Sequence, residues 1–239
     1  MAENNIKDNV NCEVNVGKET LEDFYKKMHS GHLYDPMNDE ILNVQLKYLD
    51  DVQEYNRLKH SDLEGRWKKL KSMFAEIGEG SYIEIPFNSN FGARHCYFGK
   101  CVYANYNLSL VDDTEIHVGD YTMFGPGVVL ATAGHPINPE MREGLNLQFN
   151  RPIHIGRNCW LGAGVIVLPG VTIGDNTVIG AGSVVSKDIP ANVVAVGSPC
   201  KVMREISERD REYYYKDLAI PKSFFELVKA RKDNDSDNE

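Results

Sequence analysis

Three histidines in the middle of the chain have side chains whose chemistry suits neutral pH. They are His117, His135 and His154, and each precedes the start of an apolar repeat. An imidazole with an unperturbed pKa near 6.5 can act as a general base, and its neutral form is a common metal ligand. His117 and His135 are 18 residues apart, so their side chains could stack on one corner of a repeat. The residue types alone leave both a base and a metal site open.

The balance of charge limits which partners this chain can have. Its formal net charge is -9, from 26 Lys and Arg against 35 Asp and Glu. Sequence-independent nucleic-acid binding and binding to anionic membrane surfaces both depend on clustered cations, so we expect neither partner. A basic group in such a chain is informative, and one occurs late in the sequence at Lys187, Lys201 and Arg204.

Cysteine usage and hydrophobicity indicate the compartment. The 5 cysteines are scattered, with no Cys-x-x-Cys pair, so neither a disulfide framework nor a zinc site is indicated. Cys159 is interpreted as a small core residue. No apolar run approaches the length of a membrane span, and the polar start MAENNIKDNVNCEVN is unlike a signal peptide. We predict a soluble, cytoplasmic protein.

A period of six residues dominates the chain from residue 155 to residue 190. The first position of each hexad is bulky and aliphatic, the second is usually glycine, and the fifth is compact. Neither an α-helix, with a period of 3.6, nor a half-buried strand, with a period of 2, accounts for this spacing. The first positions are Ile155, Leu161, Val167, Ile173, Ile179 and Val185.

Six-residue repeats are typical of parallel β-helices, in which stacked coils bury one continuous apolar row. Looser hexads continue upstream to about Tyr82. A β-sandwich would instead show turn signals every 8 to 12 residues, not an unbroken register of six. We therefore predict a mainly β protein built on a rigid solenoid, whose second-position glycines form flexible corners.

The remaining segments divide the chain into four parts. We predict a disordered tail at 1–17, a helical cap at 18–78, the β-helix at 79–206, and a short helix with an acidic tail at 207–239. Within the β-helix, residues 133–152 carry three prolines, two glycines and no period. This segment must leave the solenoid as a loop, and extruded loops on rigid scaffolds often carry binding chemistry.

The helices of the cap and of the C-terminus can be placed from capping residues and apolar periodicity. Thr20 is the expected N-cap of a first helix, a second helix is predicted from Asp39 to Lys59, and Ser61 is the expected cap of a third. A terminal helix is predicted over residues 222–231. Gly78 to Gly80 mark the junction between the cap and the coils.

Five segments in order give the chain a family resemblance. They are GHLYDPMNDE in the cap, VYANYNLSLVDD (102–113), ATAGHPINPEMR (131–142), NRPIHIGRNCWLGAGVIVLPGVTIGDN (150–176) and VVSKDIPANVVAVGSPCKVMREI (184–206). With them the chain resembles the left-handed β-helix acyltransferases that carry hexapeptide repeats, and within them the galactoside and maltose O-acetyltransferases. The resemblance implies left-handed coils, a homotrimer, and an acetyl-CoA site between neighbouring solenoids. It also implies an acetyl-CoA-dependent O-acetyltransferase that uses no metal.

The resemblance assigns roles to individual residues. His135 is implied as the base that removes the proton of the acceptor hydroxyl, which then attacks the thioester directly, and the amide of Ala163 as the donor to the developing oxyanion. The implied acceptor-site residues are Asp35, Asn90, Tyr103, Asn105, Asp113 and Leu147, with Asp39 as an alternative to Asp35. The implied coenzyme A contacts are Asn105, Trp160, Ala163, Ala181, Ser186, Lys187, Lys201 and Arg204.

Two departures from the family pattern bear on which acceptor is predicted, and not on which reaction. Asn90 occupies a position that is usually small or acidic, and Leu147 replaces a larger flexible residue. Acetyl transfer to an amino sugar, serine or an antibiotic therefore stays open, because a shared scaffold does not fix the acceptor. A metal-dependent hydratase similar to the γ-class carbonic anhydrases is the alternative enzyme, and a non-enzymatic assembly scaffold is the other alternative.

Overall fold

The computed structural model describes residues 20–236, and side chains up to residue 230. The predicted disordered tail at 1–17 lies outside the described residues, as does the end of the acidic tail, 237–239. The described chain consists of a helical cap, a β solenoid and a C-terminal extension.

Three helices form the cap: α1 (Leu21–His29), α2 (Asp39–Arg57) and α3 (Leu63–Met73). Thr20 caps α1 as expected, and the Asn38 side chain caps α2. The predicted cap at Ser61 is wrong, because the Asp62 side chain accepts from the Gly65 amide and α3 begins one residue later. Helix α2 ends at Arg57, two residues before the predicted Lys59.

Short strands make up the solenoid and part of the segment 133–152 that leaves it. Their bounds are β1 (Glu76–Ile77), β2 (Tyr82–Ile83), β3 (Asn88–Ser89), β4 (Cys96–Phe98), β5 (Tyr103–Ala104), β6 (Ser109–Val111), β7 (Ile116–Val118), β8 (Met123–Phe124), β9 (Val129–Ala131), β10 (Ala133–Gly134), β11 (Phe149–Asn150), β12 (Ile153–Ile155), β13 (Trp160–Leu161), β14 (Ile166–Val167), β15 (Thr172–Ile173), β16 (Val178–Ile179), β17 (Val184–Val185) and β18 (Val193–Val196).

The solenoid strands stack in parallel on three faces, giving a β-helix of about 6 turns. Face A contains β1, β4, β7, β12 and β15; face B contains β2, β5, β8, β13, β16 and β18; face C contains β3, β6, β9, β14 and β17. The chain runs from A to B to C in each coil. The predicted solenoid is confirmed, and its corners lie between consecutive faces.

The hexad positions explain how the coils pack. The six first-position residues are all buried, and each is at most 3 % exposed. Burial of such side chains is worth roughly 1.5 to 3 kcal/mol each before chain entropy is counted. The second-position glycines serve close approach rather than the predicted flexibility, because a Cβ on Gly119 would lie 2.5 Å from the Arg157 amide nitrogen of the next coil. Positive φ is found instead at residues such as Asn158 and Asn176.

The segment 133–152 leaves the solenoid but is more ordered in structure than its sequence indicates. Strands β10 and β11 pair in antiparallel register, and between them lies helix α4 (Pro139–Leu145). Asn138 caps this helix, and Asn146 ends it in the left-handed region at φ 47°. The sequence predicts only that this segment leaves the solenoid as a loop. It does not predict helix α4, because seven helical residues are too few to show a period.

The C-terminal extension begins after β18, where the chain reverses direction. Strand β19 (Lys201–Glu205) pairs antiparallel with β18, followed by α5 (Glu208–Glu212), β20 (Tyr213–Tyr215), β21 (Leu218–Ala219) and α6 (Lys222–Ser236). Helix α6 is present where predicted but continues past residue 231. Across residues 20–236, none of the helices has the length and apolar character needed to cross a membrane.

Candidate active site

The imidazole of His135 lies at the base of the extruded segment, directly after β10. Its Nδ1 is 2.9 Å from the carbonyl oxygen of Leu147, which precedes β11. A carbonyl can only accept, so Nδ1 carries the proton and donates it. Nε2 is then the ring nitrogen with the free lone pair, and the side chain is exposed. The arrangement leaves an oriented, accessible proton acceptor.

Residues next to Leu147 tie this segment to the helical cap. Gln148 and Tyr34 exchange two backbone hydrogen bonds of 2.9 Å each. The Gln148 Nε2 atom also lies 2.9 Å from the Tyr34 hydroxyl. Burial raises the pKa of Tyr34 to about 12, so this hydroxyl stays protonated at neutral pH. The segment whose Leu147 carbonyl orients the imidazole is therefore hydrogen-bonded to the cap through Gln148.

Two of the predicted acceptor residues touch each other at the corner between faces C and A. The Asn90 Nδ2 atom donates to Oδ2 of Asp113 over 3.0 Å. Asp113 is only 8 % exposed, and Asn90 is half-buried. Asp113 also accepts from Gln148, so the structure places Asn90, Asp113 and the segment carrying Leu147 together.

A buried carboxylate fixes the backbone on either side of Asn90. Oδ1 of Asp112 accepts from the Ser89 hydroxyl at 2.7 Å and from the Phe91 amide at 2.9 Å. Burial raises the pKa of Asp112, while these two hydrogen bonds and the nearby His95 lower it. The Asp112-Asp113 pair is thus a structural corner as well as a candidate binding site.

The two candidate cap carboxylates differ in their surroundings. Asp35 follows Tyr34, is exposed, and accepts a hydrogen bond of 2.9 Å from the Met37 amide. Asp39 is the exposed first residue of α2. Asp35 lies beside the Tyr34–Gln148 contact, whereas Asp39 lies on helix α2.

The other predicted residues lie at a different corner, between faces B and C. Tyr103 and Trp160 are both outward on face B, where each is the register neighbour of Met123. Trp160 is 53 % exposed. Asn105 follows β5, and Ala163 and Ala181 are exposed at the same corner of later coils. Within residues 20–236, no hydrogen-bond acceptor pairs with the Ala163 amide.

The two groups of predicted site residues are separated by face C. Asn105 and Asp113 stand on either side of β6 in one coil. A strand rises about 3.3 Å per residue, which puts the two corners on the order of 15–20 Å apart. His135 follows face C on the side that carries Asp113, whereas Ala163 precedes face C on the side that carries Asn105.

The last four of the predicted coenzyme A contacts lie at the end of the solenoid. Ser186 and Lys187 are exposed immediately after β17, and Lys201 is exposed at the start of β19. Arg204 is also exposed, but both of its terminal nitrogens bind Asp210, at 2.6 and 2.7 Å. An Arg204–phosphate contact would have to replace or share that ion pair.

The predicted stacking of His117 on His135 is wrong. His117 stacks on His154 instead, with ring centroids 4.8 Å apart, because β7 and β12 pair in register on face A. Burial, followed by the neighbouring His117, lowers the pKa of His154. In the described part of the chain, no three His, Cys, Asp or Glu side chains are arranged to hold a metal ion.

Three residues of this site were not predicted from the sequence: Tyr34, Gln148 and Asn150. The Asn150 Nδ2 atom donates to the Tyr34 hydroxyl and to the Met28 carbonyl, at 2.9 Å each. Gln148 and Asn150 belong to the segment predicted as a loop, and Tyr34 belongs to the cap. Polar residues are expected in both places, so nothing in the sequence distinguishes these three. Tyr34 and Gln148 are far apart in sequence and meet only in the folded chain, so their role is visible only in the structure.

Comparisons with known proteins agree with this architecture. Residues 27–78 match the maltose acetyltransferase hexapeptide capping motif, and residues 152–187 match the bacterial transferase hexapeptide model of six repeats. The galactoside O-acetyltransferase of Lactococcus lactis is 48% identical over 190 residues, covering 80% of this chain and 91% of that protein. The Escherichia coli galactoside O-acetyltransferase is 41% identical over 198 residues, covering 83% and 97%.

A solved structure supports the same grouping. A galactoside acetyltransferase in complex with coenzyme A superposes with a TM-score of 0.79 at 41% identity, covering 82% of this chain and 97% of that one. Identity at this level over nearly the whole length of the relatives shows that the chain belongs to the hexapeptide-repeat acyltransferases, in the galactoside and maltose O-acetyltransferase group.

Proposed function

We propose that this protein transfers the acetyl group of acetyl-CoA to a hydroxyl of a sugar, with His135 as the general base. The observation that carries the proposal is the hydrogen bond from His135 Nδ1 to the Leu147 carbonyl, which leaves the Nε2 lone pair free. Similarity to galactoside O-acetyltransferases supports both the reaction and the class of acceptor.

His135 acts on the acceptor hydroxyl. A neutral alcohol attacks a thioester poorly, so Nε2 takes the hydroxyl proton as the new carbon–oxygen bond forms. The Leu147 carbonyl keeps the ring in place by accepting from Nδ1–H. The same proton is then available to the thiolate that leaves. Attack is direct, with no acetyl-enzyme. The ring is an imidazolium after it takes the acceptor proton and becomes neutral again when it gives that proton to the thiolate.

The Ala163 amide stabilises the charge that develops on the thioester oxygen. It belongs to an exposed residue and has no acceptor among the described residues. A preorganised backbone donor of this kind typically contributes 10²–10³ in turnover. A developing oxyanion gives this amide a partner that the free protein lacks.

The acetyl-CoA site follows from the same corner. Exposed Ala163 and Ala181 leave room for a ligand against the coils, and Trp160 offers an exposed indole to the pantetheine arm. Lys187 and Lys201 lie towards the end of the solenoid, where cations would pair with phosphates. Coenzyme A bound to the related galactoside acetyltransferase is consistent with this assignment.

We also propose that the active protein is a homotrimer. His135 and Ala163 lie on either side of face C in one chain, so a neighbouring solenoid must bring the two corners together. Ile137, which is 94 % exposed on the extruded segment, would gain a partner in such an assembly. Each of the three sites would then combine the base of one protomer with the acetyl-CoA corner of the next.

The test of the proposed reaction is the substitution His135→Ala. General acid–base groups typically contribute 10²–10⁴-fold, so kcat should fall by roughly that factor while the Kd for coenzyme A changes little. Turnover is measured by release of free thiol from acetyl-CoA with a panel of sugar, amino-sugar, serine and antibiotic acceptors. Coenzyme A binding is measured by calorimetry.

The matched control is His117→Ala. The His117 side chain contacts His154 and Glu115 and none of the predicted site residues, so this variant should keep normal kcat. Near-normal turnover by the His135 variant would overturn the base assignment. Equal loss in both variants, together with stoichiometric zinc in the purified protein, would favour the metal-dependent hydratase.

A further inference from the structure

The carboxylate of Asp113 is held by an amide on each side. Its Oδ1 accepts from Gln148 Nε2 at 2.9 Å, and its Oδ2 accepts from Asn90 Nδ2 at 3.0 Å. An ionised carboxylate can only accept hydrogen bonds, so both amides must turn their NH₂ groups towards it. The network therefore fixes which atom of each amide is oxygen and which is nitrogen.

The orientation of Asn90 has a consequence for the acceptor. With Nδ2 turned towards Asp113, the Asn90 carbonyl oxygen faces away from the carboxylate. Among the described residues no donor pairs with this oxygen, and the side chain is half-buried rather than enclosed. A fixed, accessible carbonyl oxygen is suited to accept a hydrogen bond from a hydroxyl of the acceptor.

The Gln148 side chain is itself held rigidly. Three oxygens lie 2.9 Å from Nε2: the Tyr34 hydroxyl, Oδ1 of Asp113 and Oδ1 of Asn150. Gln148 is 8 % exposed, and the Asn150 amide that supports it is anchored to the Met28 carbonyl of the cap. A buried amide with several partners has little freedom to rotate.

We propose that Gln148 is a positioning residue of the acceptor site, which sets the Asp113 carboxylate and, through it, the Asn90 carbonyl that receives an acceptor hydroxyl. The inference rests on the proposed acetyl transfer to a sugar. Because the carbonyl that orients His135 belongs to Leu147, one short segment aligns both the base and the group that binds the acceptor. The acetyl-CoA corner is not part of this segment.

The first test is Gln148→Met, which keeps an unbranched side chain of similar length and removes both donors. Loss of a hydrogen bond to a charged group predicts an acceptor KM raised about 10-fold or more. The KM for acetyl-CoA should stay within about twofold, since a local change at the acceptor corner does not reach the other corner. The matched control Gln45→Met, on helix α2 and outside the network, should leave both constants unchanged.

A second variant gives a signature that a packing defect would not. Gln148→Glu is nearly isosteric, and its introduced carboxyl faces Asp113, with the neutral groups of Tyr34, Asn90 and Asn150 around it. Ionised, it repels Asp113; protonated, it donates to Asp113. The acceptor KM of this variant, divided by the wild-type value at the same pH, should therefore be larger at pH 8 than at pH 6.

The outcomes separate this inference from the proposed function. Unchanged acceptor KM in Gln148→Met, or a pH-independent ratio in Gln148→Glu, would overturn the positioning role while wild-type acetyl transfer stands. If Gln148→Met does not fold, the pH dependence of the Glu variant decides. A wild-type protein that acetylates no hydroxyl acceptor would overturn the proposed function itself, before any variant is compared.

Discussion

The imidazole of His135 is oriented by a backbone carbonyl rather than by a carboxylate. The Leu147 oxygen that accepts from Nδ1 cannot be removed by substitution of a side chain, and its position depends on β11 and on the pairing of Gln148 with Tyr34. A neutral acceptor stabilises the imidazolium less than a carboxylate would.

Trp160 carries a prediction at the scale of a single residue. Its indole is 53 % exposed on face B, next to the corner that holds Ala163. We expect the indole to pack against the pantetheine arm. Trp160→Ala then removes a contact worth about 1 kcal/mol or more and raises the KM for acetyl-CoA about 5- to 20-fold. The acceptor KM should change little. Steady-state kinetics with each substrate varied in turn separates the two constants.

Met123→Ala is the matched control for Trp160. Met123 is the register neighbour of Trp160 on the same face and is 47 % exposed. Truncation there should leave the KM for acetyl-CoA nearly unchanged. Equal effects of the two substitutions would show that the face as a whole, rather than the indole, supports binding.

At the scale of the repeating element, the second-position glycines make a sharp prediction. A Cβ on Gly119 would lie 2.5 Å from the Arg157 amide nitrogen, so Gly119→Ala forces two coils apart. Overpacking of this kind costs about 1–3 kcal/mol, which lowers the Tm by roughly 2–12 °C in a chain of this size. Differential scanning calorimetry measures the change.

Gly144 provides the comparison within the same chain. A Cβ there would meet nothing within 4 Å. Gly144→Ala should therefore keep the wild-type Tm or raise it slightly. If both substitutions lower the Tm by the same amount, close coil contact is not the reason for glycine at the second hexad position.

The regular elements were predictable because local physics determines them. Six consecutive aliphatic residues at a spacing of six indicate one buried row, and Thr20 caps α1 in the manner its sequence predicts. Helix α4 was missed because its seven residues lie between a capping Asn138 and a left-handed Asn146, with no apolar face. The role of the corner glycines was missed because it depends on the adjacent coil, which the hexad alone does not describe.

At the scale of the whole molecule, the site depends on contacts that no local pattern contains. Tyr34 and Gln148 are 114 residues apart in sequence and meet in both backbone and side-chain hydrogen bonds. His117 and His135 have the spacing of stacked positions, yet the extruded segment removes His135 from the coil and register pairs His117 with His154. The family resemblance selected the residues, whereas the spatial arrangement of the cap, the loop and the solenoid had to come from the structure.

The separation of the site residues onto two corners gives the final prediction. If each site combines His135 of one protomer with Asn105 of the next, neither His135→Ala nor Asn105→Ala homotrimers should be active. Mixed trimers formed by co-expression contain some intact sites. In these sites the His135→Ala chain supplies Asn105 and the Asn105→Ala chain supplies His135. With random mixing, about a quarter of all sites are intact, so activity should return to about that fraction of wild type, in a particle of three 26.9 kDa chains. A site built within one chain would show no recovery, because every chain in the mixture carries one lesion.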